Sequence, residues 1–195
     1  MVDKRVSVFC GSSSKISQIF INESIELARA LVNEQYLIQY GGGGVGLMGY
    51  LSKTVLSMRG NIRGIIPQFM VEEGWNNPEV RDMIVVADMQ DRKRRIMMET
   101  DAIVALAGGY GTLEEITEAI TLKQLGLISA PIIIVNTNEF YNPLLRMFEE
   151  MKKENFIRQA HCNIWQSVKS ASEVVGVLKN SPSWDAKEAR NSAAI

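Results

Sequence analysis

Short apolar segments alternate with amphipathic helical patterns along most of the chain, and this alternation limits the possible folds more than any other feature. The apolar segments lie at residues 5–10, 37–40, 61–66, 83–86, 102–106 and 132–135, and a further short strand is expected around 163–168. Most of their residues are apolar, and these fall on both faces of the predicted strands, which is typical of strands covered by helices on both sides. We therefore predict an α/β fold with a doubly wound, Rossmann-like and mostly parallel sheet.

The chain of 195 residues is long enough for one domain that buries about 70% of the surface of its unfolded form. We expect one nucleotide-binding catalytic domain over residues 1–180, followed by a polar and loose tail over residues 181–195. A net charge of −1 gives no general attraction to nucleic acids or acidic membranes. No apolar run approaches the ~20 residues of a membrane span. The first residues show no signal-peptide pattern. The two cysteines of the chain are too few for a disulfide framework. We therefore expect a cytoplasmic protein.

A glycine-rich loop follows the fifth predicted strand and precedes a helix predicted over residues 112–127. Gly108, Gly109 and Gly111 leave no side chain over the turn, so the first amides of the helix are accessible. Such amides and the positive end of the helix dipole favour an anion. We predict a phosphate site at this loop, with the carboxylate of Glu115 one helical turn away.

A purely structural interpretation of the same residues is also open. Thr112-x-x-Glu115 has the spacing of a capping box, in which Thr112 caps the helix and Glu115 reaches back to the amide of the cap. The loop contains more glycine than a cap requires, and a second glycine-rich loop lies upstream. Both observations favour a ligand site.

The upstream loop runs from Gly41 to Gly49 and follows the second predicted strand. Gly41-x-Gly43-x-x-Gly46 matches the spacing of a dinucleotide fingerprint. That fingerprint also needs an acidic residue about 20 positions later, where residues 66–68 read Ile-Pro-Gln. No Gly-Lys-Ser/Thr follows either loop, so a Walker-type site is excluded as well. We expect a smaller phosphorylated ligand, such as a mononucleotide.

The most basic run of the chain, residues 91–95, opens the helix after the fourth predicted strand. Such a run is most often a solvated helix face. Here, however, cations near the N-terminus of a helix oppose its dipole, at a cost of about 0.3–1 kcal/mol each. We therefore expect Arg92 and Lys93, nearest the strand, to face an anionic ligand or Glu115, and the next two arginines to form surface ion pairs.

Four stretches of the chain together match the motifs of one protein family. They are Met89-x-x-Arg92-Lys93, Gly108-Gly109-Tyr110-Gly111-Thr112-x-x-Glu115, Tyr40-Gly41-Gly42-Gly43-x-x-Gly46-Leu47-Met48-Gly49 and Cys10-Gly11-Ser12-Ser13. The chain resembles the LOG (Lonely Guy) family over roughly residues 5 to 178. Members hydrolyse the N-glycosidic bond of cytokinin riboside 5′-monophosphates, and often of AMP, to the free base and ribose 5-phosphate. The resemblance implies the same activity in a homodimer, with no cofactor and no metal.

The resemblance also implies roles for individual residues. Arg92 and Glu115 would be the catalytic pair. The contacts to substrate and phosphate would come from Lys93, Gly42, Gly43, Gly108, Gly109, Tyr110, Gly111, Thr112, Leu113, Glu114 and Thr121. Glu115 would stabilise the oxocarbenium-like ribose and help to activate water. Arg92 would keep Glu115 ionised and orient it, or contact the substrate directly.

The chain departs from the family pattern at several positions that bear on base specificity. Ala107 replaces the usual proline, Gln90 replaces histidine, and Gly74 stands where an acidic substrate contact is expected. The alternative function is a protein of the same fold that senses a nucleotide or carries a small phosphorylated ligand without turnover. Measuring release of the free base distinguishes the two.

Overall fold

A computed structural model, which describes residues 4–193, shows a seven-stranded parallel sheet. The strands are β1 (Arg5–Phe9), β2 (Leu37–Tyr40), β3 (Ile62–Pro67), β4 (Met83–Val86), β5 (Ala102–Ala105), β6 (Ile132–Val135) and β7 (Trp165–Val168). Their order across the sheet is β4-β3-β2-β1-β5-β6-β7, and all six neighbouring pairs are parallel. The predicted fold class is confirmed.

Helices cover both faces of the sheet and bury a hydrophobic core on each. They are α1 (Gln18–Asn33), α2 (Gly46–Ser57), α3 (Gln68–Glu72), α4 (Met89–Met98), α5 (Tyr110–Gln124), α6 (Asn142–Lys153), α7 (Val174–Asn180) and α8 (Ala186–Ala193). One core contains buried residues of α1, α2 and α7, and the other contains those of α4, α5 and α6. The central strands β2, β1, β5 and β6 are covered on both sides and are almost entirely buried, whereas the edge strands β4 and β7 each expose one residue, Val85 and Ser167.

The sheet changes its direction of growth between β1 and β5, which are neighbours although four strands apart in sequence order. Connections leave such a point toward opposite faces, so that a crevice opens beyond the carboxyl ends of the strands. Two hydrogen bonds join three loops at this crevice. The amide of Gly11 donates to the oxygen of Ala107 (3.0 Å), and the amide of Leu47 donates to the oxygen of Gly11 (3.0 Å).

Helix α5 begins two residues earlier than the sequence predicts. Gly109 is its N-cap and Tyr110 its first residue, so Thr112 and Glu115 both lie inside the helix. The capping-box interpretation of Thr112 and Glu115 is therefore wrong. Without a Cβ atom, Gly109 can occupy the cap position with no side chain of its own over the first turn.

The C-terminal segment differs from the expected loose tail, because residues 186–193 form α8. Ala189 is buried, and the guanidinium of Arg190 donates to the oxygen of Gly126 at the end of α5 (3.0 Å). The indole of Trp184 donates to the oxygen of Lys123 (3.1 Å), and its ring lies 5.0 Å from the ammonium of that residue. These contacts hold the segment against α5 and the residues that follow it. The boundary of the catalytic domain at residue 180 stays a prediction.

Within residues 4–193, no helix has the length and apolar character needed to cross a membrane.

Candidate active site

Helix α4 turns the first two cations of the basic run into the protein. Asp88 caps the helix by accepting a hydrogen bond from the amide of Asp91 (2.8 Å). The periodicity of the helix then buries Arg92 and Lys93, whereas Arg95 stays on the surface and pairs with Asp91 at 3.3 Å. Both Arg92 and Lys93 therefore point into the protein, toward carboxylates of α5.

Arg92 lies across the carboxyl edge of the sheet and points toward α5. Its Nε donates to the oxygen of Ile65 in β3 (3.2 Å), and its Nη2 lies 3.7 Å from Oε1 of Glu115. Gly41, directly after β2, makes room for the guanidinium, because a Cβ atom at that position would overlap Nη2 of Arg92. The sequence predicts Gly41 as part of a glycine loop but does not predict its contact with Arg92. No sequence signal shows which glycine of the run faces that side chain.

The carboxyl group of Glu115 is buried in the crevice, and this changes its acidity. Burial raises the pKa of Glu115 from 4.5 to about 7, although the positive charge of Arg92 acts in the opposite direction. A carboxyl with a pKa near neutrality can both accept and release a proton at physiological pH. Cys10, at the end of β1, lies close enough for the charges of both residues to influence it. Burial, with the charge of Glu115, raises the pKa of the Cys10 thiol.

Lys93 has a different environment from that predicted. Its ammonium group forms ion pairs with Glu114 and with Glu118, the latter at 2.7 Å. Hydrogen bonds to Glu114 and Glu118 raise the pKa of Lys93. To bind a phosphate, Lys93 would have to exchange at least one of these carboxylates for the ligand. The predicted phosphate contacts of Lys93 and Glu114 stay predictions.

The loop before α5 presents an accessible helix N-terminus. The amide of Leu113 donates to the oxygen of Gly109 (3.0 Å) and makes the first hydrogen bond of the helix, so the amides of residues 110–112 precede the helical ladder. Gly109 and Gly111 border open space, and Tyr110 is 94% exposed. Gly108 instead packs against the buried Thr112, where a Cβ atom would overlap the threonine hydroxyl. This end of α5 provides the open donors that an anion requires.

The first glycine loop lies beside this end of the helix and is fixed by the segment before β4. Gly42 has a φ of +80°, a conformation that favours glycine. Its oxygen accepts a hydrogen bond from the amide of Asn77 (2.8 Å), and Gly43 forms an isolated antiparallel bridge with Asn76. Gly42 and Gly43 therefore lie at the same edge of the sheet as the Gly108–Thr112 loop.

Two predicted contact residues lie toward the outside of α5. Thr121 is exposed, and its hydroxyl donates to the oxygen of Thr117 (2.8 Å). Six residues separate it from Glu115, a rotation of about 240° around the helix, so the two side chains point in different directions. Leu113 is also partly exposed. The structure does not bring Thr121 together with Arg92 and Glu115, and its contact with substrate stays a prediction.

Comparison with known proteins connects this site to named relatives. A cytokinin riboside 5′-monophosphate phosphoribohydrolase of Arabidopsis thaliana (LOG5) is 38% identical over 176 residues, which are 90% of this chain and 77% of the relative. A probable phosphoribohydrolase of the same type from Oryza sativa subsp. japonica is 36% identical over 171 residues, 88% of this chain and 77% of the relative.

The same fold also occurs in proteins whose names describe a different activity. The molybdenum cofactor carrier protein of Chlamydomonas reinhardtii matches 91% of this chain and 96% of its own, with a TM-score of 0.69 and 15% identity. At that identity the likeness concerns the fold alone. The family model described as "Possible lysine decarboxylase" matches residues 48–178, more than half of the chain. With the phosphoribohydrolases that match nine-tenths of its length, the chain belongs to the LOG family.

Proposed function

We propose that this protein hydrolyses the N-glycosidic bond of a nucleoside 5′-monophosphate, either a cytokinin riboside 5′-monophosphate or AMP. The observation that carries the proposal is the buried pair of Glu115 and Arg92, 3.7 Å apart, in the same crevice as the open N-terminus of α5. The names of the relatives that match nine-tenths of the chain support the same reaction.

The phosphate of the substrate would bind at the N-terminus of α5. The amides of residues 110–112 precede the helical ladder there, and the positive end of the helix dipole favours the charge. A phosphate held at this end would place the sugar near Glu115, which lies on the following turn and faces α4. Fixing the sugar in this way lowers the entropic part of the barrier.

The reaction would break the bond between C1′ of the ribose and the base, and the electron pair of that bond would leave on the base nitrogen. C1′ then carries positive charge, which the Glu115 carboxylate would stabilise. The oxygen of a water molecule would bond to C1′ and pass one proton to Glu115. That proton would go on to the base, so that water is divided between ribose 5-phosphate and the free base.

Incubation with AMP or a cytokinin nucleotide tests the proposal directly. We expect equal amounts of free base and ribose 5-phosphate to form, which chromatography of the base and a reducing-sugar assay would measure. The corresponding nucleoside, which lacks the phosphate, is the matched control and should react far more slowly. Tight binding of the nucleotide without release of base would contradict hydrolysis and support a sensor or carrier function.

The acidity of Glu115 predicts how the rate depends on pH. With a pKa of about 7, Glu115 is mostly protonated below that pH and cannot stabilise a cation at C1′. We expect kcat/KM to rise about tenfold per pH unit up to about pH 7 and to level off above it. The phosphate group of the substrate also titrates near pH 6 and can contribute to the profile. Inhibition by ribose 5-phosphate, measured across the same pH range, gives the effect of phosphate ionisation on binding, which is then subtracted from the profile. A flat corrected profile between pH 5.5 and 8 would exclude Glu115 as the ionising group.

We further propose that the protein is a homodimer in the cytoplasm. Leu113 in α5 and Leu125 and Leu127 directly after it are partly exposed, and apolar surface of this kind is typical of protein interfaces. Sedimentation should give about twice the chain mass of 21.8 kDa, and a monomer at all concentrations would contradict the dimer. That the protein binds neither nucleic acid nor membranes stays a prediction from its net charge.

A further inference from the structure

Two exposed aromatic rings lie at the carboxyl edge of the sheet and have no role in the proposed reaction so far. Phe69 and Trp75 are 44% and 55% exposed, and their ring centroids are 6.3 Å apart at an interplanar angle of 77°. The two rings meet edge to face, and each leaves much of its surface exposed to solvent. An exposed aromatic pair beside a crevice is typical of a ligand-binding surface.

The chain fixes this pair to the first glycine loop. Phe69 belongs to α3, directly after β3, and the amide of Trp75 donates to the oxygen of Met70 (2.9 Å). The residue after Trp75 forms the antiparallel bridge with Gly43. A Cβ atom at Gly43 would lie 3.8 Å from the oxygen of Trp75, which is ordinary van der Waals contact. The backbone that carries the rings is therefore anchored to the loop.

The same loop touches the catalytic pair two residues earlier. Gly41 packs against the guanidinium of Arg92, which lies 3.7 Å from Glu115. Consecutive Cα atoms are about 3.8 Å apart, so Gly41 and Gly43 are separated by less than about 8 Å. The crevice therefore contains the N-terminus of α5, the Glu115 carboxylate and, beside the loop that contacts Arg92, the backbone that carries the aromatic pair. A nucleoside monophosphate has one part for each of the three: phosphate, ribose and base.

We propose that Phe69 and Trp75 form the subsite for the nucleobase, and that the base stacks on the exposed indole of Trp75. The inference depends on the proposed nucleotide substrate and names the residues that recognise the base. Stacking of a base on an aromatic side chain strengthens binding by about 5- to 150-fold and tolerates different bases, because every base has a flat face. A purine offers the larger face, so this subsite favours adenine and substituted adenines over pyrimidines.

Binding measurements with Trp75→Ala test the subsite. Calorimetry with AMP and with ribose 5-phosphate separates the contribution of the base to the affinity from that of the rest of the ligand. All proteins in this experiment also carry Glu115→Gln, so that AMP is not consumed. We expect Trp75→Ala to weaken AMP about 5- to 150-fold and to leave ribose 5-phosphate unchanged. Trp75→Phe, which keeps an aromatic face, should restore most of the affinity for AMP.

Phe156→Ala is the matched control, because Phe156 is an aromatic residue that is 83% exposed and follows α6. It should change neither affinity. Unchanged binding of AMP to Trp75→Ala would overturn the subsite, as would an equal loss for both ligands. A change in sedimenting mass with unchanged AMP affinity would assign the rings to contacts between copies of the chain and would also overturn it. AMP that binds through Trp75 but is not hydrolysed by the wild type would reject the hydrolase and leave the subsite intact.

Discussion

Glu115→Gln is expected to abolish most of the turnover and, at pH 8, to make the folded protein more stable. Glutamine has nearly the same shape as glutamate but cannot carry the negative charge that the proposed reaction needs at C1′. Loss of a group that acts on the reacting atoms lowers rates by about 10²- to 10⁴-fold. The variant should retain the fold, because Glu115 is buried and glutamine, like a protonated glutamate, is uncharged and therefore suits a buried position.

The gain in stability follows from the pKa of Glu115. The carboxyl has a pKa of about 7 in the folded protein and 4.5 as the reference value, so between these values the folded state binds more protons than the unfolded state. The free energy of unfolding therefore falls as the pH rises from 4.5 to 7, by about 3 kcal/mol in total. Glutamine does not ionise and avoids this loss. We expect the variant to exceed the wild type in urea unfolding at pH 8 and to match it near pH 4.5.

The matched control for this experiment is Glu150→Gln, which also exchanges a glutamate on a helix for glutamine. Glu150 is exposed on α6 and pairs with Lys153 at 2.8 Å. Its replacement should leave turnover and the free energy of unfolding nearly unchanged, because exposed ion pairs contribute little. Normal turnover in Glu115→Gln would remove Glu115 from the mechanism. Equal stability of that variant and the wild type at both pH values would show that burial does not raise the pKa.

The sequence predicts the sheet well because the relevant signals are local. The bounds of β2, β4 and β6 are those predicted, since continuous apolar runs between turn residues define a buried strand. The start of α5 and the existence of α8 were missed for different reasons. Helix α5 begins at a glycine cap, which carries no side-chain signal. Helix α8 depends on contacts with α5 that only the folded chain brings together.

The candidate site shows the same division between local and tertiary information. The inward direction of Arg92 follows from the cost of a cation at a helix N-terminus, and its pairing with Glu115 was implied by the family resemblance. The two carboxylates around Lys93 could not be predicted, because their contacts depend on how α4 and α5 pack. The raised pKa of Glu115 depends in the same way on burial between elements distant in sequence.

Gly41→Ala is expected to lower the rate strongly with little effect on stability, although it changes neither residue of the proposed catalytic pair. The new Cβ atom would overlap Nη2 of Arg92, which is the far end of a flexible side chain and can move aside. The guanidinium would then leave Glu115, and a misplacement of about 1 Å can cost about 10²-fold in rate. Loss of the hydrogen bond to Ile65 costs about 1 kcal/mol. The smaller conformational freedom of alanine in the unfolded chain offsets part of that cost.

The pH profile of Gly41→Ala distinguishes a displaced Arg92 from general damage to the loop. Because the charge of Arg92 lowers the pKa of Glu115, moving the guanidinium away should raise that pKa. The rise of kcat/KM with pH should then occur at higher pH than in the wild type, and part of the lost rate should return under alkaline conditions. Gly176→Ala, where the added atom meets nothing within 4 Å, is the control and should behave as the wild type. A Gly41→Ala protein with normal turnover, or with low turnover and an unshifted profile, would show that Arg92 does not act by holding Glu115 ionised.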